Sequence, residues 1–240
     1  MRFCIVTVRE VRYKKAMYRT ALTLSLLMCA VSASAQSADD WQSTFSVDKS
    51  KLGVKGANPY FKLTPGYVLR FAHGKDTDTL TVLKETKTID GVECRVVEDR
   101  ELKNGKLLEL TRDYYAIDAA TNDVYYMGEE VDVYKDGKVV NHEGSWLSGE
   151  KGAKFGMMLP GSPKVGQRFY SEQAPGVAMD RMEVVSVTER ASTPAGAFEK
   201  CVHVVETSAL EKGMKDHKVY CPGVGLVKDA EMTLVKYGAK

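Results

Sequence analysis

The chain has 240 residues, of which 44% are hydrophobic and 28% are charged, a composition typical of a folded globular protein. Residues 1–35 hold six of the 34 Lys and Arg side chains and one of the 32 Asp and Glu side chains, so residues 36–240 carry 28 basic and 31 acidic groups, a net charge of −3. A slightly acidic chain that mixes both signs along its length excludes the basic surface expected of a nucleic-acid-binding protein.

The first 35 residues are predicted to be a secretory signal peptide. Met17-Tyr18-Arg19 provides a basic start, Thr20–Val31 is apolar, and Ser32-Ala33-Ser34-Ala35 has the small residues of a cleavage site. The apolar run is shorter than the roughly 20 residues that cross a bilayer, so we expect no transmembrane span in the mature chain. Translation is also able to start at Met17. We therefore expect a periplasmic or secreted protein.

Cys29 offers an alternative in which the protein is anchored by a lipid. Leu26 stands three residues before it, as bacterial lipoprotein signals require. However, Met28 is bulkier than the Gly, Ala or Ser that such signals place directly before the cysteine, and apolar residues continue beyond it. Cleavage after Ala35 is the favoured interpretation.

After a polar N-terminal segment, residues 36–57, the hydrophobic pattern has period two, which is typical of antiparallel strands. Several of the breaks between these strands carry an Asn-Gly or Asp-Gly pair, which tolerates the positive φ angles of a type I′ hairpin turn. The pairs are Asp90-Gly91, Asn104-Gly105 and Asp136-Gly137. An all-β fold is predicted.

An internal repeat with an offset near 100 residues divides the remaining chain. The first β repeat is predicted over residues 58–143 and the second over 162–240, and Cys94 of the first aligns with Cys201 of the second. Chance similarity between short β patterns is the alternative. We predict two repeated antiparallel meanders that form a curved sheet, a half-barrel or a barrel.

A connector rich in glycine and methionine, residues 144–161, joins the two repeats. Its most apolar part is predicted to be a ligand-binding loop, because flexible thioethers adapt to varied apolar shapes and the flanking glycines allow movement. The loop residues are Phe155, Met157, Met158 and Leu159. The alternative is a linker whose methionines pack between the repeats.

Removal of the leader leaves three cysteines, Cys94, Cys201 and Cys221, and an odd number permits at most one bridge among them. Cys201 and Cys221 are equidistant from residue 211, so a hairpin centred there places them opposite each other on neighbouring strands. We predict a Cys201–Cys221 disulfide, with Cys94 free and buried.

The same register places His203 and His217 on the face that carries both cysteines, one diagonal step apart. Two cysteines and two histidines could hold zinc, but structural zinc sites use clustered ligand pairs, which this hairpin lacks. We therefore predict no metal site. Because no catalytic constellation or cofactor motif is found either, we predict no catalytic residue and no cofactor.

Four segments share the pattern of a known group of proteins: Asn58-Pro59-Tyr60-Phe61-x-Leu63-x-Pro65-Gly66, Glu85-Thr86-Lys87-Thr88-Ile89-Asp90-Gly91-Val92, Asp113-Tyr114-Tyr115-Ala116 and Tyr220-x-Pro222-Gly223-Val224-Gly225-Leu226-Val227. The chain resembles, from about Asn58 to Val227, a family of uncharacterised bacterial exported proteins and lipoproteins. The resemblance implies an antiparallel β fold and an envelope location, and it brings no assigned activity. Members often carry an acidic cluster after a Pro-Gly, of which this chain keeps only Asp180.

Together these features predict an exported, non-enzymatic envelope protein that binds an apolar small molecule or a lipid in its curved sheet. The alternative is a structural or protein-interaction module that binds another envelope protein through its strand edges and takes no small ligand.

Overall fold

The structure is a computed structural model that describes residues 40–239. The predicted signal peptide, the second start at Met17 and the lipidation candidate Cys29 lie outside the described residues. Within residues 40–239, no helix has the length and apolar character needed to cross a membrane.

The described residues form one short 3-10 helix, Lys49–Lys51, and sixteen β-strands. In chain order the strands are β1 (Leu52–Gly53), β2 (Tyr67–His73), β3 (Asp76–Ile89), β4 (Val92–Lys103), β5 (Lys106–Asp118), β6 (Val124–Lys135), β7 (Lys138–Asn141), β8 (Trp146–Leu147), β9 (Lys154–Leu159), β10 (Arg168–Tyr170), β11 (Glu172–Gln173), β12 (Asp180–Thr193), β13 (Gly196–Ser208), β14 (Asp216–Cys221), β15 (Gly225–Asp229) and β16 (Met232–Ala239).

These strands make one antiparallel sheet that is nearly closed into a barrel, so the predicted all-β fold is confirmed. The order of neighbouring strands is β10-β12-β13-β14-β15-β16-β2-β3-β4-β5-β6-β9-β11. The central long-range pairing joins β16 to β2, where Leu234 lies opposite Phe71. Strands β10 and β11 end the series, and Ser171 alone separates them in the chain. The single seam therefore lies where the chain passes from Tyr170 to Glu172.

The predicted hairpin turns are present, and their residues adopt the backbone that type I′ turns require. The φ angles are 50° at Asp90 and 79° at Gly91, 50° at Asn104 and 77° at Gly105, and 53° at Asp136 and 76° at Gly137. Each pair joins two neighbouring strands. These turns were predictable from the sequence because glycine, asparagine and aspartate tolerate a positive φ.

The segment that precedes β1 packs along the seam. Gln42 N donates to Arg168 O at 3.0 Å, and Tyr170 N donates to Gln42 O at 2.9 Å, so Gln42 pairs with the free side of β10. On the neighbouring strand, a Cβ added to Gly156 would lie 2.3 Å from the carbonyl oxygen of Ser171. Only glycine at this position allows β9 to lie so close to the seam.

The segment Asn58–Phe61 closes one end of the barrel. Asn58 Nδ2 donates to the carbonyl oxygens of Asn122 (2.9 Å) and Pro160 (3.2 Å). The Phe61 ring lies 4.9 Å from that of Tyr115 on β5 and 6.3 Å from that of Tyr220 on β14. Because five strands separate β14 from β5 in the sheet order, Phe61 bridges opposite walls of the barrel.

Replacing Asn58 is expected to loosen this closure. The side chain is 2% exposed. Its removal leaves the carbonyl oxygens of Asn122 and Pro160 without the amide donor. We expect Asn58→Ala to lower the free energy of unfolding by about 1–3 kcal/mol, measured by urea denaturation. Asn58→Asp should be destabilising at pH 8 and should recover in part at pH 5, because a protonated carboxyl regains one donor. An Asn58→Asp variant whose stability, relative to Asn58→Ala, does not change with pH would contradict this role.

The two predicted repeats share local features. Strands β3 and β12 each have 14 residues. An equivalent turn hydrogen-bonds to each strand: Gly66 N donates to Val82 O of β3, and Gly166 N donates to Val184 O of β12, both at 2.8 Å. Duplication of one ancestral unit, and the boundaries 58–143 and 162–240, stay predictions.

Candidate functional site

Several carboxyl side chains point toward the interior of the barrel, and we call six of them the inner carboxyl cluster. They come from β3, β4, β5, β6, β11 and β13: Asp78, Asp99, Asp113, Glu129, Glu172 and Glu206. Their strands follow the usual alternation. On β5, Asp113 is 7% exposed and faces inward, whereas Arg112 faces outward and pairs with Glu85 at 2.8 Å.

Strand register brings acidic residues of the interior side by side. Asp113 lies directly opposite Glu129 across β5 and β6. Farther from Phe61, Asp78 lies opposite Glu101, which in turn lies opposite Glu109. Like charges in directly opposed cross-strand positions are destabilising. The fold therefore places these acidic groups where their ionised forms would repel each other.

A second wall of the barrel, which includes Lys218 on β14, lies across the interior from these acidic strands. Lys218 on β14 lies 3.2 Å from a carboxylate oxygen of Glu206 and 3.0 Å from one of Asp229. Lys218 also interacts electrostatically with Asp78 and Asp113, whose strands are not its neighbours in the sheet. These interactions support the placement of both walls around one interior.

Burial raises the pKa values of the cluster. It raises the pKa of Asp113 to about 7, against the opposing effect of a hydrogen bond from Tyr126. Burial and then the charge of Asp78 raise the pKa of Asp99 well above its ordinary value. Burial, followed by the neighbouring carboxylates, likewise raises the pKa values of Glu129 and Glu172. At neutral pH the interior therefore holds protons that the same groups lose in the unfolded chain.

Replacing Tyr126 should change the titration of Asp113. The Tyr126 hydroxyl donates to Asp113 Oδ1 at 2.5 Å, and such a bond favours the ionised carboxyl. We expect Tyr126→Phe to raise the pKa of Asp113 above about 7, as followed by ¹³C NMR of the carboxyl carbon. Tyr115→Phe, on the neighbouring strand, keeps that hydrogen bond and is the control. An unchanged Asp113 titration in Tyr126→Phe would contradict the assignment.

Asp78 and Asp99 hydrogen-bond to each other, and the buried polar atoms without a partner among the described residues include Arg95 Nε and Ser171 Oγ. Ser171 is 1% exposed and directly precedes Glu172 at the seam. A buried hydroxyl without a partner is uncommon in folded proteins, because it loses its hydrogen bonds to water without replacement.

The structure corrects the predicted ligand-binding loop. Phe155, Met157, Met158 and Leu159 lie in strand β9, which pairs with β6 and β11, so they are not a mobile loop over the mouth of a cavity. The hydrogen bonds of the sheet outweigh the flexibility that the glycines and methionines suggest. Phe155 packs against Phe45 and Tyr125, on the face opposite to Tyr126.

The cysteine pairing matches the structure. The sulfur atoms of Cys201 and Cys221 are 2.02 Å apart in a disulfide, and Cys94 is free and buried. The predicted hairpin register also holds, because Val202 lies opposite Tyr220.

Beside the disulfide, His203 Nε2 and His217 Nδ1 are 2.8 Å apart. Glu189 lies 3.7 Å from the other ring nitrogen of His203. Within residues 40–239, no group of three or more His, Cys, Asp or Glu side chains has an arrangement that would hold a metal ion.

Sequence reasoning missed the inner carboxyl cluster. The signal was present in β5, where Glu109, Thr111 and Asp113 share one strand face with the aromatic Tyr115. Asp180, the acid retained after Pro175-Gly176, begins β12 and interacts electrostatically with Glu172 and Glu206 of the cluster.

No protein-family model matches the chain, and no curated protein matches it in sequence. Among solved structures, the chain is similar to a protein of Parabacteroides distasonis described as a "putative lipoprotein". The sequence identity is 14%, the TM-score is 0.36, and the alignment covers 77% of this chain and 100% of the other. Membership of the exported family that the sequence resembles stays a prediction.

Proposed function

We propose that the protein is an exported, non-enzymatic component of the cell envelope that binds a ligand with an apolar body inside its barrel. The predicted leader supports export, and the Cys201–Cys221 disulfide is typical of an oxidising compartment outside the cytoplasm. Anchoring through Cys29 is an alternative mode of attachment under the same proposal.

The observation that carries the proposal is an inner wall that protein surrounds and solvent still reaches. Asp78, Asp99 and Glu129 keep part of their surface exposed, although burial raises the pKa values of all three. This combination supports an interior that a ligand is able to enter. A barrel of this kind encloses its ligand between the walls.

Aromatic rings provide the apolar part of this space at the end closed by Asn58–Phe61. The Tyr115 ring stacks on that of Tyr126 at 4.8 Å, and the Trp146 ring packs edge-on against Tyr126 at 5.4 Å. Phe61 completes the floor against Tyr115. A hydrocarbon chain that enters the barrel would bury its surface against these rings, which is the main favourable contribution to binding an apolar body.

Native mass spectrometry tests this proposal. Protein purified from the envelope fraction without detergent should show an added mass that denaturation releases, and the delipidated protein should bind twelve-carbon amphiphiles. Protein that carries no added mass and binds none of these amphiphiles would overturn the proposal.

The second candidate is an interaction module, and the edge strand β7 favours it. β7 pairs with β6 alone among the described strands, and Val139 and Val140 on it are 41% and 53% exposed. An exposed apolar edge strand is able to accept a strand of a partner protein. Crosslinking in intact cells from position 139 should then capture one discrete envelope protein, and a Val139→Lys variant should lose it.

A further inference from the structure

We propose that His203 and His217 form a Cu²⁺ site on the outward face of the sheet, with His203 Nε2 and His217 Nδ1 as its two protein ligands. The inference is independent of the proposed function, because it does not involve the interior of the barrel. It departs from the sequence-based prediction of no metal site, which considered zinc held jointly by two histidines and two cysteines. Cys201 and Cys221 are joined in the disulfide, so the histidines alone supply ligands.

The strand register brings the two imidazole rings together. His203 on β13 and His217 on β14 are diagonal neighbours across this strand pair. Glu206 of β13 faces the interior, so His203, three residues before it, faces outward. The disulfide joins the same two strands and restricts the movement of one strand relative to the other. The sheet therefore holds both rings in place before an ion binds.

The distance between the ring nitrogens fits two adjacent ligands of a tetragonal ion. His203 Nε2 and His217 Nδ1 are 2.8 Å apart. Metal–nitrogen bonds of about 2.0–2.1 Å place two nitrogens about 2.9 Å apart when they enclose an angle of about 90°, and about 3.3 Å apart in a tetrahedral site. Square-planar and tetragonal sites with nitrogen and oxygen ligands are typical of Cu²⁺ and Ni²⁺, and Cu²⁺ binds more tightly than Ni²⁺ or Zn²⁺.

Glu189 supplies the outer carboxylate that commonly accompanies a metal-binding histidine. It lies 3.7 Å from His203 Nδ1, the ring nitrogen that does not face His217. A carboxylate in this place favours the tautomer with the proton on Nδ1, which leaves the lone pair of Nε2 for an ion. Burial, followed by the neighbouring His217, lowers the pKa of His203. The ring is therefore neutral at pH 7.5, as a metal ligand must be.

The surroundings of the pair accommodate a hydrated cation. The charged side chains that interact with His203 include Glu189 and Lys228, whose opposite charges offset each other. His217 is exposed, so water has access to the ion. Within residues 40–239 no group of three or more His, Cys, Asp or Glu side chains converges as metal ligands do, and water and buffer oxygens therefore complete the coordination. Without an ion, one imidazole donates a hydrogen bond to the other.

Titration of the protein without an affinity tag tests the inference. Cu²⁺ is added at pH 7.5 with glycine as a competing ligand, and binding is followed by isothermal calorimetry. We expect one Cu²⁺ per chain, and electron paramagnetic resonance should show a tetragonal ion coupled to two imidazole nitrogens. Half an ion per chain, or a spectrum without nitrogen coupling, would overturn the proposal.

Matched variants connect the ion to this pair. His203→Gln and His217→Gln should each weaken Cu²⁺ binding at least about tenfold and remove one nitrogen coupling, because losing a ligand costs at least as much as losing an outer partner, about 10–100-fold. His142→Gln is the control, since His142 lies 2.8 Å from a carboxylate oxygen of Asp132, and it should bind Cu²⁺ like the native sequence. Native affinity in both pair variants would show that the ion binds elsewhere.

Glu189→Ala separates a positioning residue from a ligand. We expect it to weaken Cu²⁺ binding about tenfold while both nitrogen couplings are kept, and native affinity in this variant would contradict the role of Glu189. Cu²⁺ should also raise the thermal unfolding midpoint of the native sequence and have a smaller effect on His203→Gln. Unfolding without Cu²⁺ checks that the variants are folded. Equal shifts in the native sequence and His203→Gln would contradict the site.

Discussion

The free energy of unfolding should fall as the pH is raised from 5 to 8. In the unfolded chain an aspartate ionises near pH 3.9, whereas burial raises the pKa of Asp113 to about 7 in the folded protein. Between these values folding takes up a proton, so stability declines with rising pH by about 1.4 kcal/mol per pH unit for each such proton. Burial also raises the pKa values of Asp99, Glu129 and Glu172, so these groups add to the decline.

Urea denaturation at pH 5, 6, 7 and 8 measures this dependence. Asp113→Asn should reduce the slope of the unfolding free energy against pH by the amount expected for one proton. The titratable and charged groups that interact with Asp113 include Tyr126, Asp78, Glu109, Lys218, Glu129, Asp99, Tyr115 and Glu172, and they are unchanged in this variant. Glu130→Gln is the control, because hydrogen bonds from Lys87 and Tyr114 outweigh burial and lower the pKa of Glu130. Stability that is constant or rises over this range would show that the interior carboxyls are ionised in the folded protein.

Breaking the Cys201–Cys221 disulfide should destabilise the protein by about 3 kcal/mol. The bridge closes a loop with a sequence separation of 20 residues, and opening it increases the conformational entropy of the unfolded chain. The double variant Cys201→Ala, Cys221→Ala should therefore unfold at a lower urea concentration than the native sequence. Both cysteines are fully buried, so loss of side-chain packing adds to the effect.

Chemical reduction distinguishes the contribution of the disulfide from that of side-chain packing. Treatment with dithiothreitol should move the unfolding midpoint of the native sequence most of the way toward that of the double variant, and it should leave the variant unchanged. Because Cys94 is free in both proteins, it does not affect the comparison. An unchanged midpoint for the native sequence under reducing conditions would contradict a stabilising role for the bridge.

The parts of this fold that were predictable depend on local rules. Asp-Gly and Asn-Gly pairs specify tight turns, and the equal distance of Cys201 and Cys221 from residue 211 specifies a hairpin register. Pairing between β2 and β16 has no such signal, since Ala72 and Thr233 meet only through the curvature of the whole sheet. A near-closed barrel therefore could not be distinguished from a half-barrel in the sequence.

The interior was missed because part of the chain inverts the usual pattern. Along β5, Leu108 and Leu110 share the outward face with Arg112, and Leu108 is 39% exposed, while Glu109 and Asp113 face inward. The rule that apolar residues face the core assigns these faces the wrong way round. A different rule, the flexibility of glycine and methionine, predicted a loop over 155–159, although β6 supplies the hydrogen bonds that make it a strand.

The pairing of β2 with β16 also determines when folding is able to finish. β2 begins at Tyr67 and its partner ends at Ala239, so the sheet cannot close until the residues of β16 have been synthesised. Contacts between residues so distant in sequence slow folding, because closing a long loop costs entropy before the contact forms. Until then β2 and β15 each present an unpaired edge, and incomplete chains are vulnerable to aggregation through these edges.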